Sequence, residues 1–163
     1  MKGHLNICKL FFSEVLPSGD FSFLNADSSG CNPFMAACIG GNVEILELIL
    51  NYVFRNQGKD GVLNLIFQLD NLQRNCFMFA TIKGDLNIAQ FLCNYLTQFE
   101  NEVDDKDNLV LKLINQADHY GMQPIHHASR FGNVPFLQFL LSKGATMNKK
   151  DDYERTPTQL GLI

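Results

Sequence analysis

The sequence predicts an all-α fold, a short solenoid of stacked helix–turn–helix units. Three observations predict it. One block of residues recurs along the chain, with matching small and apolar positions. An aspartate (Asp27, Asp70, Asp118, Asp151) stands six residues before the anchor of each copy: Pro33, Cys76, Pro124 and Pro157. Each of the first three copies ends in apolar residues at helical spacing, a strip that one unit cannot bury alone, so neighbouring units must stack.

Taken in order, the opening KGHLNICKLFF places Gly3-His4 as a turn, with Ile7, Leu10, Phe11 and Phe12 on a following helix. The first full copy, DSSGCNPFMAACIGGNVEILELILN (27–51), has Ala37 four residues after Pro33 and then Gly41-Asn42-Val43. Its second helix bears Ile45, Leu46, Leu48, Ile49 and Leu50. The second copy, 70–96, has Cys76 in the proline place, Ala80 in the alanine place and Gly84-Asp85-Leu86 as the turn. The third, 118–148, is the best preserved, with Pro124, Ala128, Gly132-Asn133-Val134 and the strip Phe136, Leu137, Phe139, Leu140, Leu141. The fourth starts at DDYERTPTQLG and holds Pro157. Proline at the first helical turn presets φ and removes no hydrogen bond. Alanine lets two helices approach, and glycine adopts the positive φ of the turn between them.

These residues resemble the ankyrin-repeat family. Its Thr-Pro-Leu-His pattern is similar to Gln123-Pro124-Ile125-His126, Asn32-Pro33-Phe34-Met35 and Thr156-Pro157-Thr158-Gln159, and its closing Gly-Ala-x-x-Asn to Gly144-Ala145-Thr146-Met147-Asn148. The second copy departs most, with Asn75-Cys76-Phe77-Met78 in that place. The resemblance covers nearly the whole chain. It implies an ankyrin-repeat solenoid with short β-turn fingers: partial repeat 1–26, full repeats 27–69, 70–117 and 118–150, and partial repeat 151–163. Because both ends cut a repeat and neither shows a polar capping helix, a fragment of a longer array is expected.

The family period is about 33 residues. The step from Pro124 to Pro157 matches it, but the steps from Pro33 to Cys76 and from Cys76 to Pro124 are longer by 10 and 15 residues. The extra residues fall at 51–69 and 94–117, where VLNLIFQLDN resembles VLKLINQADH. Each insert is expected to lengthen the outer helix, pass through a polar loop (NQGKDG; ENEVDDKDN) and add a short helix. The inserts read equally as loop expansions without a role.

Composition narrows the function classes. The 163 residues are 46% apolar and 18% charged, a globular balance. The net charge is −4 and no basic run occurs, against a phosphate-binding footprint. No apolar stretch reaches membrane-span length and no signal peptide is visible, so membrane insertion of this segment is not expected. Five cysteines with no CxxC disfavour a disulfide framework or zinc knot and suit a reducing cytoplasm.

The stretch QPIHHASRFGNV invites catalytic and metal readings. His126 sits at the family's histidine, which the resemblance implies to be a stacking residue bonded to neighbouring backbone. His127, next on the helix, points about 100° away and is expected towards the inner groove. A site from His119, His126 and His127 with a cysteine is the enzyme alternative, and Cys38 and Cys93 read more simply as buried small residues. Ser129 reads as a packing substitute. ENEVDDKD lacks the glycine and glutamate of a calcium loop. No catalytic residue, metal or cofactor is assigned.

The resemblance implies instead a non-catalytic module for a protein or peptide partner, met by finger tips and the inner ends of the first helices. Those positions are Asn71, Leu72 and Arg74 in the second finger, His119, Tyr120 and Met122 in the third, and Asp152, Tyr153 and Arg155 in the fourth, with Lys83, Arg130 and Phe131 on the helices. The aromatic and arginine members are of hot-spot type. Other readings by analogy are a regulatory or targeting segment of a larger enzyme, channel or host-directed effector, or self-association through open repeat ends.

Overall fold

A computed structural model describes residues 6, 10, 11, 20–100 and 108–161. The expected Gly3-His4 turn, Ile7, Cys8, Phe12 and the acidic loop at 101–107 lie outside the described residues. The first repeat pairs α1 (Pro33–Gly40) with α2 (Val43–Phe67), after a 3-10 turn at Ser22–Leu24. The second pairs α3 (Cys76–Lys83) with α4 (Leu86–Glu100) and adds α5 (Leu109–Ile114). The third pairs α6 (Pro124–Arg130) with α7 (Val134–Ser142), and α8 (Pro157–Leu160) opens the fourth. No strand occurs among the described residues.

One short segment ends each first helix and starts the second. Gly41 and Gly84 close α1 and α3 with φ of 72° and 76°, and their amides reach back to the last turn. The next residue then caps the following helix: Asn42 Oδ1 accepts from the Ile45 amide, Asp85 Oδ1 from Ile88 and Asn133 Oδ1 from Phe136. The caps interlock between repeats. A Cβ on Gly84 would stand 2.6 Å from Asn133 Nδ2, and one on Gly41 would stand 2.7 Å from Asp85 Oδ2.

The first helices stack as one row, α1 on α3, α3 on α6 and α6 on α8, and α2 packs on α4 behind them. Phe34, Phe77, Phe136, Leu46, Leu50, Leu92 and Leu96 are fully buried between the rows. Phe77 of one repeat meets Phe136 of the next edge-on at 6.0 Å. Side-chain hydrogen bonds fasten the row to the segment before each following finger. Asn32 Nδ2 donates to Gln68 Oε1 at 2.7 Å, Asn75 Nδ2 to the Leu113 carbonyl at 3.0 Å, and His126 Nε2 to the Lys149 carbonyl at 3.0 Å.

The inserts correct one expectation. NQGKDG is not an extended loop: two helical arms, together α2, meet within it across a kink at Gly58 (φ 65°, ψ −158°). Val62, Leu65 and Ile66, spaced for one helical face, are buried and hold the second arm helical up to the glycine. In the second insert α5 forms at the expected place, capped by Asn108 and anchored by buried Leu109, Val110, Leu113 and Ile114.

Candidate functional site

The four aspartates flagged by their spacing build the fingers. In each, Oδ1 accepts from the amides two and four residues on: Asp27 from Ser29 and Cys31, Asp70 from Leu72 and Arg74, Asp118 from Tyr120 and Met122, Asp151 from Tyr153 and Arg155. The aspartate amide is bonded in turn to the carbonyl four residues on. The residue three after the aspartate takes positive φ, as Gly30, Gln73, Gly121 and Glu154. Glycine serves where the next finger leans close: a Cβ on Gly121 would stand 2.4 Å from Asp152 Oδ1.

Neighbouring fingers are stitched by backbone. The Asn71 amide donates to the Ser29 carbonyl at 3.0 Å, His119 to Leu72 at 2.9 Å and Asp152 to Tyr120 at 3.1 Å. Asn71 Nδ2 adds a bond to the Ser28 carbonyl. This register sets Leu72, Tyr120 and Tyr153 at equivalent places, 40%, 46% and 62% exposed. The His119 ring stands edge-on to Tyr120 at 5.5 Å, and Asp152 is exposed beside Tyr153.

The second oxygen of Asp118 is held differently from those of Asp70 and Asp151. Arg74 and Arg155 close 2.6 Å salt bridges onto Asp70 and Asp151, four residues before them. Arg74 then lies over the Phe79 ring at 4.6 Å, while Arg155 covers exposed Tyr153 at 4.8 Å. In the third finger the equivalent residue is Met122. It is 3% exposed, which removes it from the expected contact set: an apolar side chain there turns into the core. His127 replaces the arginine, its Nε2 at 2.9 Å from Asp118 Oδ2. That corrects the expectation that His127 faces the groove. Burial opposes ionisation of Asp118, but bonds from His127 and from the Tyr120 and Met122 amides outweigh it and hold the carboxyl below its usual range. Burial likewise opposes ionisation of Asp151, and the Arg155 bonds prevail. Sequence reasoning missed the His127–Asp118 pair; the available signal was the arginine present four residues after Asp70 and Asp151 and missing after Asp118.

Beyond the fingers, the inner helix ends present Ile39, Lys83, Arg130 and Phe131, all exposed. Lys83 Nζ donates to the Ile39 carbonyl, tying α3 to α1. Phe131 is 57% exposed, and its ring is near-parallel to that of His127 with centroids 6.5 Å apart.

The residues weighed for chemistry are occupied by structure. His126 is fully buried; Nδ1 accepts from the Gln123 amide and Nε2 donates to the Lys149 carbonyl, so the ring is neutral and ties α6 to the segment before the fourth finger. Cys38, Cys76 and Cys93 are fully buried. A bond with Cys76, then burial, holds the Cys38 thiol well above its ordinary range, and burial raises Cys31, the reverse of an activated nucleophile. Among the described residues no three His, Cys, Asp or Glu side chains converge as a metal-ligand set. No helix among them is long and apolar enough to cross a membrane.

Comparison with known proteins agrees with this geometry. A family model described as ankyrin repeats (3 copies) matches residues 1–107 and 56–151. The chain is similar to transient receptor potential cation channel subfamily A member 1 of Homo sapiens, 27% identical over 124 residues. That alignment covers 75% of this chain and only 9% of the channel.

Proposed function

The chain belongs to the ankyrin-repeat family, and from that premise we propose that it is a non-catalytic module that binds a protein or peptide partner. The contact surface is the row of finger tips, Leu72, His119, Tyr120, Asp152 and Tyr153, with Arg155 on Tyr153 and with Asn71 and Arg74 at its edge. Lys83, Arg130 and Phe131 extend it along the inner helix ends. The observation that supports this most is the backbone register of the fingers, which aligns three large exposed side chains on a rigid support. Rigid aromatic side chains give contact area at low entropic cost. The same proposal places the protein in the cytoplasm, where the described cysteines remain thiols.

Affinity capture with residues 1–163 as bait, beside a Tyr120→Ala/Tyr153→Ala variant, tests it. Both side chains are exposed, so the fold should survive and capture of a specific partner should fall by about tenfold or more. Equal capture by the two baits would sink the assignment of the tips.

The likeness to a cation-channel segment supports a second reading, a regulatory segment of a larger membrane protein. The full-length transcript decides it: a product that continues into membrane-spanning helices supports this reading, and one that ends at Ile163 removes it.

A further inference from the structure

Fingers two and four are closed from within. Arg74 and Arg155 belong to the same turn as the aspartates they hold, and a guanidinium four residues away bonds each carboxylate. Finger three lacks that self-contained clamp. Its Asp118 is held from outside by His127, nine residues on and in the body of α6. Both partners are 8% exposed. Asp118 Oδ1 meanwhile bonds the Tyr120 and Met122 amides, which define the tip. The imidazole plane runs near-parallel to the ring of exposed Phe131, with centroids 6.5 Å apart.

We propose that His127 is a positioning residue that links the inner helix end at Phe131 to the finger tip at Tyr120 by clamping Asp118 from outside the finger. The inference rests on the reading of these two places as the contact surface, and it deepens that reading. Finger four holds its tip with an arginine that contacts only its own turn, and finger two does so with an arginine backed by the Phe79 ring of α3. In finger three, a partner that moves Phe131 moves the imidazole, the carboxylate and the turn together. The two contacts are then recognised as a unit, with Tyr120 set by what occupies the inner helix end.

Amide hydrogen exchange in the partner-free protein tests the clamp, so its outcome does not depend on whether a partner exists. In His127→Leu, which keeps bulk and removes the donor, the Tyr120 and Met122 amides should exchange about tenfold faster or more. The matching amides of Leu72, Arg74, Tyr153 and Arg155 should be unchanged. Adding Met122→Arg to that variant recreates the clamp of the other fingers and should restore protection at Tyr120. Unchanged exchange at Tyr120 and Met122, or acceleration in all fingers alike, would overturn the proposal. If His127→Leu does not fold, nitrogen NMR of the unmodified protein decides: a proton on His127 Nε2 is required, and a ring protonated on Nδ1 alone overturns it.

Discussion

His126 shows how one side chain can tie an inner helix to the segment before the next finger and set a pH limit. Its Nδ1 accepts from the Gln123 amide while its Nε2 proton goes to the Lys149 carbonyl. A second ring proton would face the Gln123 N–H, donor against donor. Burial lowers the pKa of this histidine from the ordinary 6.5, though the Lys149 carbonyl and Asp151 partly oppose it. The sign follows from proton counting. Below pH 6.5 the unfolded chain takes up a proton that the folded chain refuses, so stability is full above that pH and is lost as pH falls through the folded value. The slope for one proton is at most about 1.4 kcal/mol per pH unit. His126→Gln has a local precedent, because Gln159 fills the same place in the fourth repeat and accepts from the Thr156 amide. Urea unfolding at pH 7.5 and 5.5 should therefore show a smaller loss on acidification in His126→Gln than in the unmodified protein. Equal losses would assign the acid sensitivity to the carboxylates instead.

At the scale of the element, the inner helices are defined by caps that also reach into the insert of the same repeat. Asn75 is fully buried; its Oδ1 accepts from the Met78 amide and its Nδ2 donates to the Leu113 carbonyl of α5. Replacing the cap alone costs about 1 kcal/mol. Leaving a buried carbonyl without its donor costs about 1–3 kcal/mol more. Asn75→Ala should thus destabilise by about 2–4 kcal/mol. Asn75→Ser, which keeps the cap and loses the reach to Leu113, should fall between Ala and the unmodified protein. Denaturant midpoints for the three chains check the order. The cap was legible in the sequence as a polar residue before the anchor, in the Asn32, Asn75, Gln123 and Thr156 series. The reach to Leu113, 38 residues away, was not, because it depends on how the second insert folds back on α3.

In the whole molecule, stability is a sum of repeats and the interfaces between them. Phe77 and Phe136 sit at the interface of the second and third repeats, both fully buried and edge-on. Phe77→Ala should cost about 3–5 kcal/mol. A cycle with Phe136→Ala should return a coupling of about 0.5–1.5 kcal/mol, read from urea unfolding of the four chains. Additive effects would mean that the two repeats do not share one core. The sequence by itself determined the all-α repeat, the places of the inner helices, the glycine turns and the aspartates of the fingers. Those features are local, because an N1 proline, a positive-φ glycine or an apolar strip at helical spacing constrains only the residues beside it. The tertiary structure alone decided which side chains are used up in packing. It turned Met122 into the core, set His127 on Asp118, and folded NQGKDG into two helical arms kinked at Gly58, the second burying Val62, Leu65 and Ile66. Partners and burial of that kind come from packing within and between repeats, which brings together residues that sequence spacing leaves apart.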